Sequence, residues 1–208
     1  MNYSDLKPQK NTDGTIITSA VTLSFPHLFH PYTAGEFPSN KYECQLLIDK
    51  DRDAELYALL SDEIRACLER GAEESWKGKK PAEMMYPIAP DKYAKNNPDA
   101  MVLKCKTQFP PKLIDVYGRD IKDEDALYGG AIVRCEIRFF PWLKGIRGGV
   151  SCSVNMVQKL ADGDKIGGKD YSTYAVPGLA DAVLASTTAP ATSTPYASDD
   201  LPADDLPF

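Results

Sequence analysis

From Thr15 to Phe25 apolar and polar residues alternate with period two. Ile17, Ser19, Val21, Leu23 and Phe25 share one face, and Thr18, Ala20, Thr22 and Ser24 the other. That period, rich in β-branched residues, predicts a strand, which Pro26 ends. A turn region over 31–40 leads to a second strand over 41–48. Asp49, Lys50 and Asp51 then offer helix-capping chemistry. In 54–70, Leu56, Leu59, Leu60, Ile64, Cys67 and Leu68 recur at helical spacing, which predicts an amphipathic helix stopped by Gly71. Residues 72–100, with Pro81, Pro87, Pro90, Pro98 and Asn96-Asn97, read as a long and mostly irregular insertion, of the kind that is often functional.

The second half is strand-rich. Candidates run over 101–109 and 112–117, separated by Pro110-Pro111, with an acidic connector over 120–127. The clearest strand covers 130–140. Val133, Cys135, Ile137 and Phe139 face the core there, and Ile132, Arg134, Glu136, Arg138 and Phe140 face outward. Its partner across a turn at 141–144 is 145–158. In that strand Val150, Cys152, Val154 and Met156 point one way, and Arg147, Ser151, Ser153 and Asn155 the other. About five strands with one helix between the halves predict a mainly β fold, an OB-type partly open barrel, although other α+β sheets fit the same composition. Three regions follow: a flexible polar arm over 1–14, the domain over 15–169, and a Ser-, Thr-, Ala- and Pro-rich tail over 170–208 that is too poor in apolar residues to order itself.

Charge refines this division. The chain carries −6 overall, with 30 Asp and Glu against 24 Lys and Arg. Six of those acids lie beyond Lys169, where there is no Lys or Arg, so residues 1–169 are balanced and the tail holds the entire excess. Five scattered cysteines without a Cys-x-x-Cys pair read as reduced, mostly buried thiols of a cytosolic protein. The start of the chain lacks the pattern of a signal peptide, and no apolar run approaches the ~20 residues of a membrane span. His27 and His30 have no cysteine pair at zinc spacing, so no metal or cofactor is expected. Phosphate-binding glycine motifs and nucleophile–histidine sets are absent.

Candidate chemistry lies on the outward face of the last two strands. Arg134, Arg138, Phe140, Trp142, Lys144 and Arg147 interleave bases with rings, and residues 131–169 hold seven bases against three acids. Cations neutralise phosphates, and flat rings stack on unpaired bases for ~1–3 kcal/mol each. A solvated sheet face covered by aromatics would read the same way. Lys104 and Lys106 extend the basic surface, and Phe109 and Tyr117 are further stacking candidates. Lys77, Lys79 and Lys80, beside Trp76, form either a clamp over the strand or an ordinary basic loop. The acids Asp115, Asp120, Asp123, Glu124 and Asp125 raise a metal-dependent phage nuclease as an alternative. Their clustering fits a solvated connector better.

The tail repeats Asp-Asp-Leu-Pro, the second time as Asp204-Asp205-Leu206-Pro207-Phe208. This resembles the acidic tip of bacterial single-stranded DNA-binding proteins, Asp-Asp-Ile-Pro-Phe. A partner pocket that is apolar and rimmed by Lys or Arg suits such a peptide. A second resemblance is carried by Ser24-Phe25-Pro26-His27-Leu28-Phe29, Leu46-Leu47-Ile48, Tyr128-Gly129-Gly130, and the run from Gly149 to Leu160 followed by Asp162-Gly163. Over about 15–169 the chain is similar to a bacteriophage replication family of OB-type single-stranded DNA-binding proteins, first catalogued as a domain of unknown function. The resemblance implies a non-enzymatic protein that coats unpaired DNA in the cytoplasm of the infected bacterial host. Its tail would recruit replication proteins such as DNA polymerase or helicase-primase. An adaptor that uses the tail without touching DNA is the other alternative.

Overall fold

The computed structural model describes residues 2–166, apart from positions 35, 37, 79, 95 and 96. In chain order the strands are β1 (Gln9–Lys10), β2 (Ile16–Ile17), β3 (Val21–His27) and β4 (Tyr42–Asp49). Helix α1 (Ala54–Arg70) follows, then β5 (Glu83–Met85), β6 (Ile88–Pro90), β7 (Ala100–Thr107), β8 (Lys112–Ile114), β9 (Ile132–Lys144) and β10 (Arg147–Ala161). The described part is mainly β with one long helix. Five strands close a ring: β3 pairs with β4, β4 with β7, β10 with β9 and β9 with β3, all antiparallel, while β7 and β10 meet in parallel at Cys105 and Cys152. A small β ring with this order is the OB barrel.

Alternation fills the interior. Leu23, Leu46, Ile48, Leu103, Val133, Ile137, Val150 and Val154 are all essentially inaccessible, and α1 adds Leu56, Leu60, Ile64 and Cys67. All five cysteines are buried and free. Burial pushes the Cys135 thiol well up, which keeps it protonated and unreactive. No helix among the described residues is long and apolar enough to cross a membrane.

The edge of β10 that faces away from β9 is divided among three short pairings. β5 pairs with Arg147–Gly149, β7 touches only at Cys152, and β8 pairs with Met156–Gln158. The seam is therefore partly open, and the insertion fills it: β5 lies on β10 while β6 lies on β7. The insertion is more ordered than its prolines suggest, because a neighbouring strand edge supplies the hydrogen bonds that its own sequence cannot. Gly149 makes the seating possible, since at φ 149° a Cβ would stand 2.0 Å from the Met85 carbonyl oxygen.

Several expectations are corrected. The strand over 15–25 is two strands, β2 and β3, broken at Thr18–Ala20, so Ile16 and Thr18 are buried in place of Ile17 and Ser19. Pro26 does not end β3 but sits in a bulge within it. Gly71 is helical (φ −61°) and leads into a π-turn over Gly71–Ser75. It is glycine because a Cβ would press to 2.8 Å on Pro141 and 2.9 Å on Trp76. β9 continues through Pro141 to Lys144, leaving Gly145-Ile146 as the turn. A bulge after Val154 puts Val157 rather than Met156 in the core.

The polar segment read as a loose arm is tied down. β1 pairs with β2. Lys10 and Arg70 both donate to the buried carboxylate of Glu63 on α1, Arg70 at 2.9 Å. Lys7 donates to Glu55. Burial pushes the Glu63 carboxyl up, but the two cationic donors outweigh it and hold it below its ordinary value.

Two stability predictions follow from this packing. Glu63→Ala should lower the unfolding free energy by about 1–3 kcal/mol at pH 7 in urea titration. A carboxyl with a depressed folded pKa stabilises fully above its unfolded value, near 4.5, and loses that contribution as pH falls through the folded value. The gap between variant and wild type should therefore narrow on acidification below that point. Gly149→Ala should unseat β5 from β10 at a cost of about 2 kcal/mol or more, seen as a lower thermal midpoint and faster proteolysis within 71–99.

Candidate nucleic-acid interface

The contact that closes the barrel also decides what faces out. Cys105 and Cys152 point inward with their Sγ atoms 3.6 Å apart. Their neighbours Lys104 and Lys106 on β7, and Ser151 and Ser153 on β10, must then point outward. Register extends both pairs. Lys104 faces Gln45 and Lys106 faces Glu43 on β4, while Ser151 faces Phe140 and Ser153 faces Arg138 on β9. Two rows thus cross four strands: Gln45, Lys104, Ser151 and Phe140 in one, Glu43, Lys106, Ser153 and Arg138 in the other.

Charge on this surface is uneven. Lys106 is engaged by Glu43 at 2.8 Å. Lys104 and Arg138 are exposed and make no ion pair among the described residues. The Phe140 ring is 40% exposed. A second exposed ring belongs to the segment that hydrogen-bonds the Lys104 backbone. Tyr86 lies between Met85, which pairs with Gly149, and Pro87, whose carbonyl accepts from the Lys104 N–H at 2.8 Å. It therefore stands at the seam of β7 and β10 and is 52% exposed. At the opposite margin, Phe25 is turned out of β3 at φ 44° and is 54% exposed.

Other predicted residues fall elsewhere. Arg134, expected as a DNA contact, serves as an internal clasp. It is half-buried and donates to the carbonyls of Thr18 (2.9 Å) and Lys7 (3.1 Å), and burial lowers its pKa. Trp142, also expected on the DNA face, is less open than Phe140. It is only partly exposed, its Nε1 is buried without a partner among the described residues, and its carbonyl accepts from the buried Trp76 at 3.1 Å. Trp76 is thus a core residue beside the expected lysine clamp. Arg147 is exposed but paired with Glu83 at 2.7 Å. Lys144 sits exposed at the β9–β10 turn.

Phe109 and Tyr117 are 76% and 78% exposed, on connectors outside the two rows, and Arg119 covers the Tyr117 ring at 4.7 Å. Lys77 and Lys80 are exposed on the segment before β5. Lys79 and the tail residues Asp204, Asp205, Leu206, Pro207 and Phe208 lie outside the described residues.

Three of the acids named for the connector are engaged by bases. Asp115 meets Arg119 at 2.7 Å, Asp120 meets Lys112 at 2.6 Å, and Glu124 meets His30 at 2.9 Å. Burial pushes the Asp115 carboxyl up, but hydrogen bonds from Arg119 outweigh it and hold it below the usual carboxylate range. Among the described residues no three His, Cys, Asp or Glu are grouped to hold a metal ion.

Sequence reasoning missed Gln45, Tyr86 and Phe25. Pro26 was a signal for the last, because a proline inside an alternating run marks a bulge as readily as an end. Nothing local signals Tyr86, whose position depends on two strands far away in sequence.

The chain is similar to known proteins in sequence and in fold. A protein from Acyrthosiphon pisum secondary endosymbiont phage 1, called putative protein p50, is 27% identical over 161 residues, covering 71% of this chain and 84% of its own. The single-stranded DNA-binding protein of bacteriophage Enc34, solved in complex with ssDNA, superposes with a TM-score of 0.66 at 21% identity, covering 78% of this chain and 99% of its own. The single-stranded DNA-binding protein gp2.5 of bacteriophage T7 does so with a TM-score of 0.54 at 13% identity, covering 82% and 100%. At such identities the two structures speak for the shared fold. The family model described as Enterobacter phage Enc34, ssDNA-binding protein, matches residues 14–176, and the chain belongs to that family.

Proposed function

We propose that this chain is a non-enzymatic single-stranded DNA-binding protein that coats unpaired DNA during phage replication, in the cytoplasm of an infected bacterium. The observation that carries the reading is the shared surface of Lys104, Arg138, Phe140 and Tyr86: two cations without ion pairs beside two exposed rings. Such a surface neutralises phosphates and stacks bases, and neither contact distinguishes one base from another. Membership in a family whose Enc34 protein was solved with ssDNA supports it. Lys144 and Lys80 extend the positive surface, and Phe109 and Tyr117 offer rings beyond it. The nuclease alternative is weakened because Asp115 and Asp120 already serve Arg119 and Lys112.

The tail completes the proposal. Asp204, Asp205, Leu206, Pro207 and Phe208 offer acids, an apolar ring and a carboxylate to a basic-rimmed pocket on DNA polymerase or helicase-primase. The same acids compete for the cationic face when no DNA is present.

The first experiment is a titration with a thymidine oligomer at low ionic strength. The wild type should bind, with a log–log salt slope of about −0.7 per phosphate neutralised. Lys104→Ala with Arg138→Ala should weaken binding and flatten the slope by about 1.4. Phe140→Ala should weaken binding at every salt concentration, and Arg134→Ala should lower the thermal midpoint instead of the slope. Failure of the wild type to bind overturns the function, and an unchanged slope in the double variant overturns the assigned face.

Deleting 199–208 should tighten DNA binding and abolish co-purification with the replication partners. Equal affinity of the intact and truncated chains would refute the competition.

A further inference from the structure

We propose that Phe25 is a base-stacking platform at the β3 margin of this face, held outside the barrel by a strained β-bulge. The inference rests on the DNA-binding reading above and adds a subsite to it. Strand alternation from Val21 and Leu23, both buried, sends residue 25 into the core beside Cys44. The structure does the opposite. The β3–β4 ladder passes from Ser24 opposite Gln45 to His27 opposite Glu43, so Phe25 and Pro26 together oppose Cys44 alone. In that bulge Phe25 takes φ 44°, and its ring emerges 54% exposed.

A bulky side chain at positive φ is a genuine outlier, and such strain persists where the surroundings impose it, most often at functional sites. Here the strain brings little burial in return, because more than half of the residue stays open to water. Two less costly solutions exist: an apolar residue kept inside by regular alternation, or an asparagine turned out at the same φ. The bulge is braced on both sides. Ser24 is buried before it, and the His27 ring packs on Tyr32 at 4.6 Å after it.

The ring's surroundings suit an unpaired nucleotide. Gln45 and Glu43 flank the bulge on β4, and Lys104 and Lys106 lie opposite them on β7. Phe25 on β3, next to the Ser24 that faces Gln45, and Phe140 on β9 thus lie near the two ends of the path through Gln45, Lys104 and Ser151. The path between them crosses four strand spacings, roughly 19 Å along the sheet at ~4.8 Å per step. The two rings therefore hold different bases of one strand, with the seam residue Tyr86 and the Lys104 cation between them.

Two variants of the full chain test the subsite. Phe25→Asn removes the ring while accepting the left-handed backbone, so its thermal midpoint should equal or exceed that of the wild type. Its affinity for a thymidine oligomer should fall by about five- to a hundredfold, the range expected for one lost stack. Phe25→Trp should retain affinity and show emission that is quenched on saturation with the oligomer, beyond any change seen in the wild type. Wild-type affinity in Phe25→Asn, or unquenched emission in Phe25→Trp, overturns the proposal. If Phe25→Asn also loses stability, the Phe25→Trp emission alone decides. A wild type that binds no oligomer defeats the function as a whole. A wild type that binds as Phe25→Asn does defeats only the subsite.

Discussion

The barrel closes on one contact, Cys105 against Cys152, and most of what lies on its surface depends on that closure. β7 and β10 meet in parallel at this single position, with thiol side chains small enough to fit between the packed interior and the meeting strands. Parallel strands need a long connection between them, and here the chain uses it to wind the connector and β9 around the ring. Above and below the contact the two strands separate, so their edges are open to other partners. β5, β6 and β8 take those edges, and the barrel is sealed by segments that are not among its five principal strands.

The same contact sets the phase of the outer surface. With both cysteines inward, Lys104, Lys106, Ser151 and Ser153 have no choice but to face out, and the ladders carry that phase to β4 and β9. Phase alone does not make a free cation, however. Arg134 and Arg138 sit on the same strand and the same face. The N-terminal segment reaches the first and occupies it with two carbonyl oxygens, while the second lies beyond the last β2 pairing at Ile137 and Glu136. One arginine is structural and the other open for chemistry because of where a two-residue strand happens to end.

Much of this was legible beforehand where a pattern repeats over many residues. The helix over 54–70 was predicted to the residue, since seventeen positions at helical period leave little freedom. The core face of β9, at Val133, Cys135, Ile137 and Phe139, was also correct. The misread strand faces share one cause: an irregularity of one or two residues shifts the phase of the residues beside it. The break at Thr18–Ala20 moved Ile16 inward, the bulge at Phe25 turned its ring off the face it was expected to share with Val21 and Leu23, and the bulge after Val154 exchanged Met156 for Val157.

By itself, then, the sequence determined the class of fold, the position of the helix, the inward residues of the long strands and the concentration of negative charge beyond Lys169, because each is a sum over local periodicity or composition. The tertiary structure alone decided which bases stay unpaired, which rings reach the surface and where Tyr86 stands. Those outcomes depend on partners distant along the chain, and no local period encodes a partner that the strand has yet to meet.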